Sequence, residues 1–145
     1  KSSVVKLLVG GDIPHTGSLR TASGLVISYM PQDTSFLSGN VLDFARESGL
    51  DETLFLTILR KLDFPRVQFE KDMRDFSGGQ KKKALLAKTL SEHAHLYVWD
   101  EPLNFVDVLS RMQIRDLLLA ANPTMLFVEH DKTFVSEIAT RRILL

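Results

Sequence analysis

No cysteine occurs anywhere in the 145 residues, which excludes disulfide frameworks and thiolate zinc sites. A chain without thiols suits a reducing compartment. There is no apolar run of about 18 residues, the length a helix needs to cross a bilayer. The opening Lys1-Ser2-Ser3-Val4-Val5 does not resemble a signal peptide. An excess of charge of one sign is missing too. With 18 basic and 18 acidic residues the formal net charge is zero, so no overall field points to nucleic acid or to a membrane surface. No internal repeat, no low-complexity linker and no histidine–carboxylate spacing of zinc type is present. What remains is an ordinary globular composition, 44% hydrophobic and 25% charged, in a length that fits one domain with its own core. The chain opens on lysine and closes on the apolar Ile143-Leu144-Leu145, so both ends read as cuts through structure.

Hydrophobic periodicity and punctuation predict alternating helices and strands. Val4 to Val9 reads as a helix that starts at or before Lys1 and stops at Gly10-Gly11. Gly24 to Met30 reads as a strand stopped by Pro31. Two helices follow, one through Val41, Leu42, Phe44 and Ala45, the other capped by Asp51 with Leu54, Ile58, Leu59 and Leu62 at helical spacing. Residues 40 to 76 carry no strand signal and form a small helical insertion. Further helices are expected at Ser77 to Leu90, Val106 to Ala120 and Asp131 to Ala139. Further strands are expected at Leu96 to Trp99, Met125 to Val128 and Arg142 to Leu145. Two of the strands are uninterrupted apolar runs, the mark of a parallel sheet covered on both faces. The fold class is therefore α/β, with a mostly parallel sheet.

Polar residues gather at strand ends and at one helix start. Ser77-Gly78-Gly79-Gln80 opens a helix with a serine cap and two glycines, leaving backbone N–H groups free to face an anion. Lys81, Lys82 and Lys83 follow directly. Like charge at a helix start is unfavourable, so these lysines are expected to meet something negative, such as a nucleotide phosphate. Leu96-Tyr97-Val98-Trp99 delivers Asp100 and Glu101 to the carboxyl end of a strand, where ligands sit in open parallel sheets. One carboxylate can hold Mg²⁺; the other, on the opposite face of the pleat, can orient or deprotonate a water. Pro102 disfavours a helix start at Glu101. His130 ends the Met125 to Val128 strand at the same rim, and Gln32 ends the first strand. His15, His93 and His95 lack that placement and read as loop or surface residues. Lys1-Ser2 before an apolar helix is what remains of a G-x-x-x-x-G-K-[ST] phosphate loop.

In this order the residues resemble the nucleotide-binding domain of the ABC ATPase superfamily, a P-loop NTPase fold. Lys1-Ser2 looks like the end of the Walker A loop, Gln32 like the Q-loop, and Ser77 to Gln80 like the signature. Val98 to Glu101 looks like Walker B, Leu103 to Asp107 like the D-loop, and His130 like the switch histidine. The resemblance spans the whole chain, 1 to 145, read as a single domain truncated at the Walker A lysine, with residues 77 to 145 carrying signature, Walker B, D-loop and switch histidine. It implies ATP and Mg²⁺ as ligands, with Lys1 and Ser3 on the phosphates and Ser2, Gln32 and Asp100 at the metal. It further implies Glu101 and His130 as catalytic residues. Ser77, Gly78, Gly79, Gln80 and Asp107 would serve nucleotide at the junction with a second ABC domain, packed head to tail.

Within the superfamily the chain resembles the ABC-F branch, and its antibiotic-resistance ribosome protection members in particular. Phe76 to Lys83, Trp99 to Asp107 with the following Val108 to Gln113, and Phe127 to Asp131 carry that likeness. Leu103-Asn104-Phe105-Val106-Asp107 departs from the Thr-Asn-His-Leu-Asp of many ABC-F proteins. The branch implies a cytoplasmic ATPase without membrane insertion, acting on the ribosome and its rRNA and tRNA, this chain being the C-terminal of two ABC domains. Two other readings stay open: the ATPase subunit of a membrane transporter, and a non-catalytic nucleotide-gated clamp. Retention of Glu101 and His130 argues against the clamp.

Overall fold

The computed structural model describes residues 1–145, apart from the side chain of Ser2. Its sheet has three parallel strands in the order β1-β2-β3: β1 (Ile27–Met30), β2 (Leu96–Asp100) and β3 (Met125–Val128). Helix α1 (Ser2–Leu8) precedes β1. Helices α2 (Val41–Glu47), α3 (Glu52–Lys61) and α4 (Gly78–Ser91) lie between β1 and β2. Helix α5 (Val108–Ala121) connects β2 to β3, and α6 (Lys132–Ile138) follows. Strands alternating with helices in one parallel sheet make this an α/β fold.

Register decides where the chemistry lies. Met30 pairs with Trp99, and Asp100 pairs with Val128, so all three strands end on one rim with Gln32, Glu101 and His130 just beyond. Trp99 on β2 is fully buried in one large cluster with Met30, Leu86, Leu103 and Ile114. Val98 is also fully buried and Val5 of α1 is 2% exposed, yet neither belongs to that cluster. The pleat turns Val98 and Asp100 to the face opposite Trp99, and α1 is in contact with β2. Helix α1 therefore covers the Asp100 face, while α4, packed on β1 and on α3, covers the other.

Each helix start has a local cause. Asn40, Asp51, Asp107 and Asp131 accept hydrogen bonds from the first-turn N–H groups of α2, α3, α5 and α6. Ser77 and Gln80 close a reciprocal capping box on α4. Residues 40 to 76 contain α2, α3 and two 3₁₀ turns, Arg66–Glu70 and Met73–Asp75. The two ends of that stretch meet in an antiparallel bridge between Asn40 and Asp72.

Three expectations about elements are corrected. The first strand starts at Ile27 rather than Gly24, because Gly24 has φ 75° and Leu25 N–H closes a turn onto Ala22 C=O. Helix α5 starts at Val108 rather than Val106, because Asp107 stands outside it as the cap. Among the described residues no strand forms at Arg142 to Leu145: β3 pairs with β2 alone there, Leu144 is 94% exposed, and an apolar run gains no ladder without a strand to pair with.

Candidate functional site

Glu101 sits where β2 leaves the sheet, in the left-handed backbone region at φ 53°. Its N–H donates to Val128 C=O at 2.8 Å, which carries the β2–β3 pairing one residue past the strand end. Three side chains converge on its carboxylate. Gln32 Nε2 donates to Oε2 at 3.0 Å, Asn104 Nδ2 donates to the same oxygen at 2.7 Å, and His130 Nε2 lies 3.2 Å from Oε1. The Glu101 side chain is 17% exposed and that of His130 is 63% exposed. One carboxylate is thus held by the loops after all three strands, with its imidazole partner open to solvent.

Asp100 is the second carboxylate of the pair. It is 1% exposed, and its Oδ1 has no hydrogen-bond partner among the described residues. A buried, unpaired carboxylate oxygen is unfavourable unless a cation completes it. It opens onto a cleft of about 410 Å³ lined by Lys6, Tyr29, Gln32, Asp33, Asp100 and Asn104, among others. Burial, with the nearby Asp100 charge, pushes the Tyr29 phenol up. Hydrogen bonds from the Ser35 N–H and hydroxyl hold Asp33 below the usual carboxylate range. Asp33, Asp100 and Gln32 line the same cleft, and oxygen donors of this kind suit Mg²⁺.

The glycines of Ser77 to Gln80 are packed against their own chain. A Cβ on Gly79 would sit 2.6 Å from the main-chain oxygen of Phe105, and one on Gly78 would be 3.1 Å from the Phe105 ring. Phe105 itself has φ 65° and is 80% exposed. Ser77 and Gln80 bond each other in the capping box. Asp107 caps α5 through Ser110 and lies 3.5 Å from Lys83. The Ser110 bonds hold its carboxyl down at about 2. Lys1 stands just before α1 and makes no side-chain cap. Ser3 lies in its first turn, exposed. The Ser2 side chain is outside the described part.

The lysines depart from expectation. Helix α4 begins at Gly78, so they follow its first turn, and Lys82 and Lys83 are buried at 1% and 9% exposure. The oxygens that Lys82 and Lys83 meet belong to this chain. Lys83 pairs with Asp107, and Lys82 Nζ donates to the main-chain oxygens of Gln32 at 3.2 Å and Glu101 at 3.1 Å. Burial pushes the Lys82 ammonium down, opposed by Asp100 and Glu101. A signal for this was available: Lys82 lies on the same helical stripe as Leu85, Leu86 and Thr89, all buried. Asn104 and Glu129 were missed as well. Glu129 accepts from Leu103 N–H at 3.0 Å and His130 N–H at 2.8 Å, tying the loops after β2 and β3 together.

Comparison with known proteins shows likeness to ATP-binding proteins. The chain is 32% identical to the ATP-binding protein YdiF of Bacillus subtilis, covering 97% of this chain and 23% of the relative. It is 31% identical to the ATP-binding protein YbiT of Escherichia coli O157:H7, covering 97% and 28%. Among solved structures, a complex of archaeal ribosomal stalk protein aP1 with archaeal ribosome recycling factor aABCE1 matches with a TM-score of 0.77 and 25% identity, over 95% of this chain and 28% of that one. The chain thus spans about a quarter of the length of these relatives. The family described as ABC transporter matches residues 1–104, and the chain belongs to that family of ATP-binding domains.

Proposed function

We propose that the cleft beside Asp100 hydrolyses ATP, and that the chain is one domain of an ABC-F protein working on the ribosome. The observation that carries the catalytic part is the single carboxylate of Glu101 gripped by Gln32, Asn104 and His130, with the buried carboxylate of Asp100 one residue before it on β2. Glu101 orients the attacking water and accepts its proton. His130, exposed at the mouth of the site, reaches the γ-phosphate. Asp100, Gln32 and Ser2 hold Mg²⁺, which when bound neutralises phosphate charge. Lys1 pairs with the β- and γ-phosphates, and Ser3 lies beside them. Ser77 to Gln80 and Asp107 face nucleotide carried by a second ABC domain packed head to tail. Residues 1 to 145 then belong to one domain, with the 40 to 76 stretch as its helical insertion.

Support for the ribosomal assignment comes from the sequence likeness of Phe76 to Lys83 and Trp99 to Asp107, and from the resemblance to a ribosome recycling factor. No helix among the described residues is long and apolar enough to cross a membrane. The proposal places the protein in the cytoplasm, as the C-terminal of two ABC domains, with ribosome protection against an antibiotic as its role.

Glu101→Gln in the complete protein tests both parts. The amide keeps shape but cannot take a proton, so hydrolysis should fall by a factor on the order of 10² while ATP binding persists. The trapped protein should sediment with ribosomes in an ATP-dependent, salt-sensitive manner. Turnover within about twofold of wild type would remove Glu101 as the base. A variant found in washed membranes and absent from ribosomes would replace the ribosomal reading with a transporter subunit.

A further inference from the structure

Lys82 is a buried charge to which the catalytic roles above give no task. It sits on the inward stripe of α4, 1% exposed. Burying an ammonium is costly unless its protons find acceptors. Among the described residues no carboxylate comes within ion-pair distance of it; it is satisfied instead by two main-chain oxygens, those of Gln32 at 3.2 Å and Glu101 at 3.1 Å. Those two residues lead the loops after β1 and β2, and their side chains bond each other at 3.0 Å. One cation therefore clamps the backbone of both partners in that contact.

Glu101 needs such a clamp. A residue with a Cβ at φ 53° is strained and persists only where its surroundings hold it. Its N–H is fixed by Val128 C=O from the β3 side, and its C=O is fixed by Lys82 from the α4 side. Without the second tie the peptide plane can turn, and the carboxylate turns with it, away from Asn104 and His130. A lysine suits the place: its long stem crosses the apolar layer, and its compact head offers three donors to carbonyls lying in different directions. Since α4 also begins with Ser77 to Gln80, a shift of that helix start is passed to both loops through the same ammonium.

We propose that Lys82 is the positioning residue of the hydrolytic site, fixing the Glu101 carboxylate by pinning the carbonyls of Gln32 and Glu101. The inference rests on the reading of Glu101 as the group that activates water.

Lys82→Met, Lys82→Gln, Lys82→Arg and Glu101→Gln, each in the complete protein, form the test. Steady-state kcat and KM for ATP are measured per site that binds trinitrophenyl-ATP, so partial unfolding cancels. Lys82→Met and Lys82→Gln should lower kcat by about tenfold to a hundredfold, the effect of a misplaced reacting group, with KM within about twofold of wild type. Lys82→Arg, which keeps donors, should recover at least about a third of wild-type kcat. Wild-type kcat in Lys82→Met overturns the proposal. So does a loss of nucleotide sites in both the Met and Gln variants, which would assign the lysine to the fold, and so does an Arg variant no better than Met. Glu101→Gln separates the two claims. If it is inactive while Lys82→Met is fully active, only the positioning role fails; if it turns over like wild type, the reading of the site itself fails.

Discussion

Gly79→Ala adds a single methyl group where α4 passes closest to the 103 to 107 loop. The new Cβ would sit 2.6 Å from the main-chain oxygen of Phe105, roughly 1 Å inside an unstrained carbon–oxygen contact. That oxygen belongs to the backbone and cannot rotate away, so either the helix start or the loop must move. On an unobstructed helix the same change would stabilise by up to about 1 kcal/mol, because alanine is the better helix former. Overpacking at this contact costs about 1–3 kcal/mol, and after the full helix-propensity gain a net loss of up to about 2 kcal/mol is expected. Gly78→Ala is the internal control. Its Cβ meets the Phe105 ring at 3.1 to 3.3 Å, and that side chain is free to swing at 80% exposure, so its effect should stay within about 0.5 kcal/mol. Thermal denaturation of both variants of the complete protein measures the difference. Amide exchange at Val106, whose N–H donates to Leu103 C=O at 3.0 Å, reports the loop directly. Asn104 lies in the same loop and holds Glu101, so Gly79→Ala should also slow hydrolysis in its own domain. A Gly79→Ala protein that melts above wild type, with Val106 exchange unchanged, would refute the reasoning.

Two more outcomes follow from named contacts. Asn104→Ala removes the 2.7 Å bond to Glu101 Oε2; it should lower kcat about tenfold with nucleotide affinity retained, as titrated with trinitrophenyl-ATP, and an unchanged kcat would show that Gln32 and His130 suffice. Asp107→Ala removes the α5 cap and should destabilise by about 1 kcal/mol near neutral pH. The folded pKa of Asp107 is depressed from 3.8 to about 2, so its contribution is present above the unfolded value and lost as pH falls through that window. Melting curves of wild type and variant should therefore converge near pH 2, and a gap that persisted there would assign the effect to something other than the carboxylate.

Much of the site could be read from strand ends. Three apolar runs each stop at a polar residue, and a parallel register then brings Gln32, Glu101 and His130 to one rim whatever the intervening helices do. Helix caps were equally legible where one side chain decides them, as at Asp51 and Ser77. Side-chain direction was harder. Lys82 carries a charge, and charge suggests solvent or a ligand; only the stripe with Leu85, Leu86 and Thr89 gives its inward course away. Asn104 becomes a partner of Glu101 because the chain turns sharply after β2, with positive φ at both Glu101 and Phe105, and no spacing rule announces such a turn. The strand expected at Arg142 to Leu145 failed for a different reason: apolar content is a local property, while a strand needs a neighbour.

The register of β1 against β2 also bears on how the molecule comes to exist. Gln32 and Glu101 are 69 residues apart in sequence, as are the paired Ile27 and Leu96. Closing a span of that size carries an entropy cost that neighbouring helices do not face, so contacts such as α3 on α4 can form well before the sheet does. Gln32 and Glu101 hang from that long-range pairing rather than from the helices. A newly made chain can thus be helical and compact before these two side chains meet.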